Sequence, residues 1–308
     1  MMFRRGVIPE RNERNQNVDN QLSIIPVLLL HGLVYGMLIF LVASGLTLVL
    51  GLMDILNFAH VSVYMVGAFT CYQVMQWTNS FWFALMVAPV ACAFLGILIE
   101  RFIIRRIHGS GHLNELLATF GLAMVITEVV NWIYGSNPLP VRAPSQLLGS
   151  LNLWSDVQYP LYRLFILVLS GMVLAFMFYI LRKTRLGISI RASVQDRDIA
   201  NALGTNVATV SMVVMGIGAW LAGIAGVIVA PYLSVYSGMY ADMIMDCFAV
   251  IAVGGLGSLG GAFIASLLVG QVQSFGVIFI PRVSLILIYL LMVAVFALKP
   301  SGISGKNE

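Results

Sequence analysis

Long apolar runs, separated by short polar stretches, make up most of the chain. Four of them carry no Asp, Glu, Lys or Arg: residues 20–53, 55–99, 199–241 and 247–281. Each is longer than the roughly 20 residues that a helix needs to cross a bilayer core. None alternates polar and apolar positions over segments of about 10 residues, as the strands of a membrane β-barrel do. The pattern therefore predicts an all-α, polytopic integral membrane protein.

Nine segments within these runs are candidate membrane spans. They cover residues 26–51, 57–76, 82–104, 114–134, 160–181, 207–230, 244–257, 260–280 and 283–298. The seventh is shorter than a full bilayer crossing requires, and a half-helix that does not cross is the alternative. We therefore expect eight to nine transmembrane helices, with broken or re-entrant segments.

Two stretches of helix-breaking or polar residues interrupt the apolar pattern. Residues 51–67 place Asp54, Asn57 and His60 near a span boundary, and residues 254–263 contain five glycines and a serine. Non-helical backbone at membrane depth survives only where protein buries it or where it lines a watery cavity. Transporters line their solute sites with paired broken segments, one in each half of the chain. The two stretches lie near opposite ends of the chain, which predicts an inverted repeat.

The basic residues indicate how the spans are oriented. Of the 17 Lys and Arg residues, ten lie in segments 101–113, 182–206 and 299–308, whereas segments 77–81, 135–159 and 231–243 contain only Arg142. Cytoplasmic loops carry such an excess of basic residues, so the first group is predicted to be cytoplasmic. With nine spans, the N-terminus is then outside and the C-terminus inside. The net charge of +4 is explained by these loops and does not indicate nucleic-acid binding.

The same pattern divides the chain into one domain with two tails. We expect a polar N-terminal tail at residues 1–20, a single transmembrane domain at residues 21–300 and a C-terminal tail at residues 301–308. Cys71, Cys92 and Cys247 lie inside apolar segments and lack the spacing of metal ligands. No catalytic or metal site is predicted.

The basic loop, residues 182–206, is richer in charge than a simple connection requires. Apolar residues at helical spacing beside the charges predict a short amphipathic helix on the cytoplasmic membrane surface. Asp196 and Asp198 stand near the start of the helical turn that follows, where negative charge is favourable, and Gly204 ends it. The loop is predicted to bind a cytoplasmic partner; the alternative is a solvated loop with internal ion pairs.

Five ordered motifs together span nearly the whole chain. They are GLVYGMLIFLVASGLTLVLGLMDILNFAHVSVYMVGAF (32–69), TRLGISIRASVQDRDIANALGTN (184–206), GAWLAGIAGVIVAP (218–231), VIAVGGLGSLGGAFIASLLVG (250–270) and LKPSGISGK (298–306). These motifs resemble the hallmarks of one transporter family, the branched-chain amino acid ABC permeases of the LivH/LivM type, and the resemblance is closest to the LivH-type subunit.

The resemblance implies the membrane subunit of an ABC importer in the bacterial inner membrane. Its partners would be a second permease subunit, of the LivM type, two cytoplasmic ABC ATPases and a periplasmic solute-binding protein. The chain has no G-x-x-x-x-G-K-[ST] motif, so it is predicted not to be an enzyme. ATP and Mg would be bound by the partner ATPases, and no cofactor is expected in this chain. The resemblance assigns ATPase coupling to Arg191, Ala192, Asp196, Ile199, Ala200, Leu203 and Gly204.

Six residues are candidates for the solute pathway: Asn57, His60, Asp246, Gly254, Gly255 and Gly257. Buried polar groups in hydrocarbon are costly unless paired, so an intramembrane Asn, His or Asp suggests a functional site. The structural alternatives are that Asn57 and His60 cap broken helix ends, that Asp246 is an N-cap residue at the outer interface, and that the glycines only allow close helix packing.

The sequence leaves two alternatives for the identity of the solute. Branched-chain amino acids follow from the five motifs, whereas urea or a short-chain amide is the alternative. The alternative rests on Asp246, because the amino-acid permeases tend to carry a cation there and the urea and amide relatives are more similar. In another class, a self-contained channel or ion-coupled carrier would need paired ionisable residues at mid-membrane. An intramembrane enzyme would need a catalytic constellation that the sequence lacks.

Overall fold

The computed structural model describes residues 10–154 and 157–304 of the 308-residue chain, and they are mostly helical. The α-helices of this part are α1 (Glu10–Met53), α2 (Ala59–Thr78), α3 (Phe81–Ile99), α4 (Arg105–Ile107), α5 (His112–Tyr134), α6 (Leu161–Lys183), α7 (Arg185–Gln195), α8 (Arg197–Ala202), α9 (Val207–Leu233), α10 (Met239–Gly254), α11 (Leu259–Phe279) and α12 (Ser284–Leu298). A π-helical turn, Glu100–Ile104, joins α3 to α4 without a break.

Each predicted span coincides with a helix to within a few residues, except that α1 begins well before the first predicted span, which it contains. Among the described residues, six helical segments are long and apolar enough to cross a membrane: Ile25–Met53, Phe81–Ile107, His112–Tyr134, Leu161–Lys183, Val207–Leu233 and Leu259–Phe279. The helices α2, α10 and α12 occupy the other three predicted positions. At 16 residues, α10 is about 24 Å long and shorter than a bilayer core. The prediction of an all-α polytopic membrane protein with a short seventh segment is confirmed.

The helices differ in how deeply they are buried within the chain. Most of the apolar windows of α1 and α9 are inside the protein, whereas those of α5 and α6 are mostly exposed. The exposed faces of α3, α5 and α6 carry large apolar side chains, such as Phe94, Trp132 and Phe176 respectively. A helix that is apolar on all sides is typical of a membrane span, so these outer faces are suited to lipid or to another subunit.

Both predicted interruptions of the helices are present, and they meet. The helix α1 ends at Met53, and the next residue, Asp54, has a left-handed backbone with φ 55°. The helix α2 begins five residues after Asp54. Between α10 and α11 the chain turns through Gly255 and Gly257, both with positive φ. The Cα of Gly257 lies 3.4 Å from the position that a Cβ on Gly51 would occupy. We call this approach of Gly51 and Gly257 the central contact.

The structure describes part of each predicted tail. The helix α1 begins at Glu10, so the second half of the predicted N-terminal tail continues the first span. Residues 1–9 of that tail, and residues 305–308 of the C-terminal tail, lie outside the described residues. The described start of the C-terminal tail is bound to α10 through Ile303 N–H to the Val253 carbonyl at 2.8 Å and Ser304 N–H to the Gly254 carbonyl at 3.1 Å. These residues pack against α10 because the carbonyls at the start of the glycine-rich turn are free to accept their N–H groups.

The segment between α5 and α6 contains two short strands that the apolar pattern did not predict. The strand β1 (Ser150–Trp154) pairs antiparallel with β2 (Val157–Pro160). Nearby, Leu139 pairs with Val235, which follows α9. These contacts gather the two segments at the same end of the helix bundle, the end predicted to face outside.

Candidate functional site

A cavity of about 690 Å³ lies near the end of the bundle where α9 passes into α10. We call it the outer cavity. Its volume is in the range of small-molecule sites, roughly 300–1,000 Å³. Its walls come from α1, α2, α9, α10, α11 and α12. The lining residues include His31, Tyr35, Leu38, Tyr64, Val229, Tyr232, Tyr236, Asp242, Met243, Asp246, Gln273, Ser274 and Ile288.

Two carboxylates in the outer cavity are each bound by a tyrosine. The Tyr35 hydroxyl on α1 donates to Asp246 Oδ2 on α10 at 2.5 Å, and the Tyr236 hydroxyl donates to Asp242 Oδ2 at 2.6 Å. Burial and the hydrogen bond to Asp242 raise the pKa of Tyr236 to about 12. This phenol is therefore protonated at physiological pH and remains a donor.

Two further polar side chains of the cavity have hydrogen-bonding capacity that the protein does not use. Tyr64, only 1% exposed, lines the cavity and its hydroxyl has no hydrogen bond within the described part of the chain. The Oε1 atom of Gln273 is buried and also lacks a partner there. Most buried polar groups in proteins are paired, so these two atoms are available to a bound molecule.

A cation lies beside this cavity without being one of its lining residues. Arg163 contacts the ring of His31, and its guanidinium lies 5.2 Å from the centre of the Tyr232 ring. His31 and Tyr232 both line the cavity.

Asp246 is the sequence-predicted pathway residue that the structure places in this cavity. It lies in the middle of α10, and the N-cap position of that helix is Gly238. The alternative reading of Asp246 as an N-cap residue is therefore wrong.

Asn57 and His60 are buried between α1, α2 and α9, and neither lines the outer cavity. Asn57 Nδ2 reaches only the Met215 sulfur at 3.6 Å, and its Oδ1 has no partner within the described residues. The ring nitrogens of His60 also lack a partner at hydrogen-bonding geometry there, although the Val42 backbone is close. The alternative that both cap a helix end is wrong for this conformation, because α2 begins after Phe58 without a side-chain cap.

The three candidate glycines are at the turn between α10 and α11, next to the central contact. The Gly254 carbonyl oxygen would be 1.9 Å from a Cβ on Gly261, and the backbone of Gly255 is in close contact with Gly302. Close packing accounts for Gly254 and Gly255 in this conformation. A role in the solute pathway for Gly254, Gly255 and Gly257 stays a prediction. It concerns a conformation in which the end of the bundle that contains the α10–α11 turn is open.

The basic loop forms two short helices, α7 and α8, rather than one. Asp196 separates them and caps α8 by accepting the Ile199 N–H at 2.9 Å, and Gly204, with φ 89°, follows the end of α8. Ile199 and Leu203 are exposed, with 81% of Leu203 accessible, whereas Ala200 is buried. The predicted amphipathic character of the loop is therefore present, with its apolar exposed side chains on α8 and just after it.

Arg191 and Ala192 have different surroundings on α7. The Arg191 guanidinium donates to the Leu181 carbonyl at the end of α6, whereas Ala192 is exposed. Arg191 therefore holds α7 against α6. Similarly, Arg197 contacts His108, which follows α4. These contacts connect the basic loop to two neighbouring helices.

Glu100 and Arg105 form a second polar cluster, at the predicted cytoplasmic end of the bundle. Glu100 is buried, and its carboxylate accepts from Arg105 Nη2 at 3.0 Å. The same nitrogen donates to the Ala208 carbonyl at 3.0 Å. This pair therefore connects the end of α3 to the start of α9, next to the basic loop.

The sequence did not identify Tyr35, Tyr64, Tyr236, Asp242 and Gln273 as site residues. The signal that was available is a polar aromatic side chain within an otherwise apolar run, as at Tyr35 and Tyr64. Tyr35 and Asp246 are separated by 211 positions, and sequence spacing alone does not bring them together.

A family model and the relatives of this chain are described by the same kind of transport system. The family model described as "Branched-chain amino acid transport system / permease component" matches residues 28–296. The high-affinity branched-chain amino acid transport system permease protein BraD of Pseudomonas aeruginosa is 27% identical over 295 residues, covering 91% of this chain and 95% of the relative.

Two further relatives have similar names and coverage. The high-affinity branched-chain amino acid transport system permease protein LivH of Escherichia coli K12 is 27% identical over 297 residues, covering 90% of this chain and 94% of the relative. The probable branched-chain amino acid transport permease protein LivH of Methanocaldococcus jannaschii is 26% identical, covering 89% and 90%.

Proposed function

This chain belongs to the branched-chain amino acid transport permease family, and we propose that it is a LivH-type permease subunit of an ABC importer. Its solutes are leucine, isoleucine and valine, and its location is the bacterial inner membrane. The relatives are named as permeases of branched-chain amino acid transport systems, and the family model extends across nearly all of the membrane-spanning region.

The outer cavity is the observation that carries the proposal. It opens between six helices at the end of the bundle predicted to face outside and combines apolar walls with a few polar groups. At the opposite end, the central contact and the buried Asn57 and His60 fill the space between α1, α2, α9 and the α10–α11 turn. A cavity accessible from one side and closed at the other is what an alternating-access importer requires before it releases its solute.

The partners follow from what the chain lacks and from what it exposes. The sequence has no nucleotide-binding motif, so two cytoplasmic ATPases supply the energy and bind ATP and Mg. Ile199 and Leu203 on the basic loop are apolar side chains exposed at the predicted cytoplasmic end, where they suit a groove on an ATPase. A LivM-type permease subunit and a periplasmic solute-binding protein complete the assembly.

In this mechanism, ATP binding moves the basic loop and thereby the helices to which it is attached. Arg191 transmits the movement to α6, and Arg197 transmits it through His108 to the connection between α4 and α5. Rigid-body shifts of packed helices are a common form of such transitions. The central contact is then broken, because Gly51 and Gly257 move apart. The outer cavity opens toward the cytoplasm as a result.

Purification of the chain from its native membrane tests the proposed assembly. We expect mass spectrometry to identify two ATPase copies, a second permease and, after crosslinking, a solute-binding protein. Ligand screening of that binding protein should then return branched-chain amino acids. Recovery of the chain alone, or a binding protein specific for urea or a short amide, would contradict the proposal.

A further inference from the structure

We infer that Asp246, held in place by Tyr35, receives the amino group of the transported amino acid in the outer cavity. The inference rests on the proposed function, because it takes the solute to be a zwitterion with a branched aliphatic side chain. It goes beyond that function by naming which residue binds which part of the solute.

The charge of the cavity is the first reason. Asp242 and Asp246 both line it, and no lysine or arginine is among its described lining residues. Asp242 is exposed, whereas Asp246 is partly buried. A partly buried carboxylate favours a cationic partner, because its charge would otherwise remain uncompensated away from water. An ammonium group is the part of an α-amino acid that provides this charge.

The hydrogen bonding of Asp246 is the second reason. Tyr35 binds only Oδ2, and Oδ1 accepts no hydrogen bond within the described part of the chain. An ionised carboxylate has capacity for several donors. Tyr35 therefore fixes the orientation of the carboxylate and leaves its second oxygen open to the solute. We regard Tyr35 as a positioning residue.

The hydroxyl of Tyr64 is an independent reason to expect a ligand. Its side chain is almost completely buried and lines the cavity, yet it has no hydrogen-bond partner among the described residues. A phenolic hydroxyl can donate to a carboxylate. We assign Tyr64 to the carboxylate end of the solute.

Apolar residues of the same cavity provide for the aliphatic side chain. Leu38, Val229, Met243 and Ile288 are buried lining residues from four different helices. Burial of a branched alkyl group against them is favourable because it removes apolar surface from water. Acidic, hydroxyl and apolar surfaces together match the three parts of leucine.

Saturation-transfer NMR on the purified permease–ATPase assembly in nanodiscs tests the inference, because this method detects weak binding. The solute-binding protein is left out so that it does not contribute a signal. The probes are L-leucine, leucinamide, which retains the ammonium group, and 4-methylpentanoate, which retains only the carboxylate. We expect leucinamide to compete with leucine in the wild type and 4-methylpentanoate to compete poorly.

Four variants separate the roles. Asp246→Asn should weaken leucine and leucinamide by about tenfold or more, as expected for loss of a charged hydrogen-bond partner. Tyr35→Phe should weaken both to a smaller extent. Tyr64→Phe should weaken leucine but leave leucinamide unchanged. Glu128→Gln is the matched control, because it also replaces a carboxylate by the corresponding amide but at an exposed position on α5. This variant should bind like the wild type.

The outcomes distinguish this inference from the proposed function. Wild-type affinity of Asp246→Asn for leucine, in a variant that elutes as the intact assembly, overturns the inference and leaves the importer function standing. Absence of a leucine signal in the wild type also overturns it, and uptake assays with the binding protein then decide the function separately. If Asp246→Asn does not assemble, the contrast between leucine and leucinamide in Tyr64→Phe decides: an equal effect on both contradicts the assigned orientation.

Discussion

At the scale of single residues, the polar atoms without partners are the most informative feature. Asn57 Oδ1 and both ring nitrogens of His60 are buried without a hydrogen-bond partner in the described part of the chain. Each such group costs about 1–3 kcal/mol of stability. Violations of this kind concentrate at functional sites. We interpret these two side chains as groups that acquire water or solute contacts when the closed end of the pathway opens.

This interpretation predicts that Asn57→Leu separates stability from transport. Leucine has a similar shape and removes the unpaired amide, so the free energy of unfolding should change by less than about 1 kcal/mol or increase. Uptake by the complete assembly should nevertheless fall several-fold. Thermal melting of the purified protein and a transport assay measure the two effects.

The control for this substitution is Thr47→Val, whose hydroxyl donates to the Ala43 carbonyl at 2.7 Å within its own helix. It is also buried, but its polar atom is satisfied, so we expect little change in uptake. Unchanged uptake in Asn57→Leu, or a large loss of melting temperature in it, would show that Asn57 has only a structural role.

At the scale of elements, the crossing of α10 and α11 is the tightest approach in the pathway region. A Cβ on Gly261 would lie 1.9 Å from the Gly254 carbonyl oxygen, whereas one on Gly260 would meet nothing within 4 Å. Small residues allow helices to approach closely in membranes. A side chain at Gly260 therefore has free space, whereas a side chain at the adjacent Gly261 would clash with the backbone of α10.

The neighbouring glycines allow a matched pair of substitutions. Gly261→Ala should lower the free energy of unfolding by about 1–3 kcal/mol, because the backbones must move apart. Gly260→Ala should be neutral or slightly stabilising, since alanine is the better helix former. Thermal melting in detergent measures both, and equal melting temperatures would contradict the described packing.

The basic loop is the second element with a specific expectation. Leu203→Asp should weaken co-purification of the ATPases by about tenfold or more, because it places a charge in an apolar contact. Membrane insertion should be unaffected, since Leu203 is exposed outside the spans. The control is Leu148→Asp, also an exposed leucine but at the opposite end of the bundle. Normal recovery of the ATPases with Leu203→Asp would reject α8 as a docking element.

The role of Arg191 was predictable from the sequence only in part. The pattern predicted the basic loop and its charges, but a guanidinium in such a loop has no unique partner until the fold is known. In the structure Arg191 is directed to the end of α6, so its substitution should alter the position of α7 rather than remove a direct contact.

The outer cavity was also only partly predictable, because the sequence does not show which residues the fold brings together. The spans and both interruptions were predictable because hydrophobic length and glycine content are local properties of the sequence. Asp246 was predictable as a rare charge in an apolar run. Its partner Tyr35 was not, because the contact joins the first and tenth helices and depends on how they pack.

At the scale of the whole molecule, the direction of transport depends on which end of the bundle faces outside. The distribution of Lys and Arg places the basic loop in the cytoplasm and the segment between α5 and α6 outside. The structure gathers α7, α8 and the connection between α4 and α5 at one end, through Arg197 and His108. The outer cavity lies at the other end, next to Tyr236 in the connection between α9 and α10.

Labelling with a membrane-impermeant maleimide tests this orientation. Cys71, Cys92 and Cys247 are buried, so they should react slowly in the native protein. We expect Leu148→Cys to be labelled in intact cells and Leu203→Cys only after permeabilisation. Cells without the ATPase subunits should be used, so that Leu203 is not covered. The reverse pattern would show that the outer cavity faces the cytoplasm.

Uptake of radiolabelled leucine by proteoliposomes tests whether this chain forms the solute pathway of an ATP-driven importer. We expect accumulation only when this chain, its partner permease, the ATPases, the binding protein and ATP are all present, and none when an ion gradient replaces ATP. Accumulation by proteoliposomes that contain this chain alone would show that it is instead a self-contained channel or ion-coupled carrier.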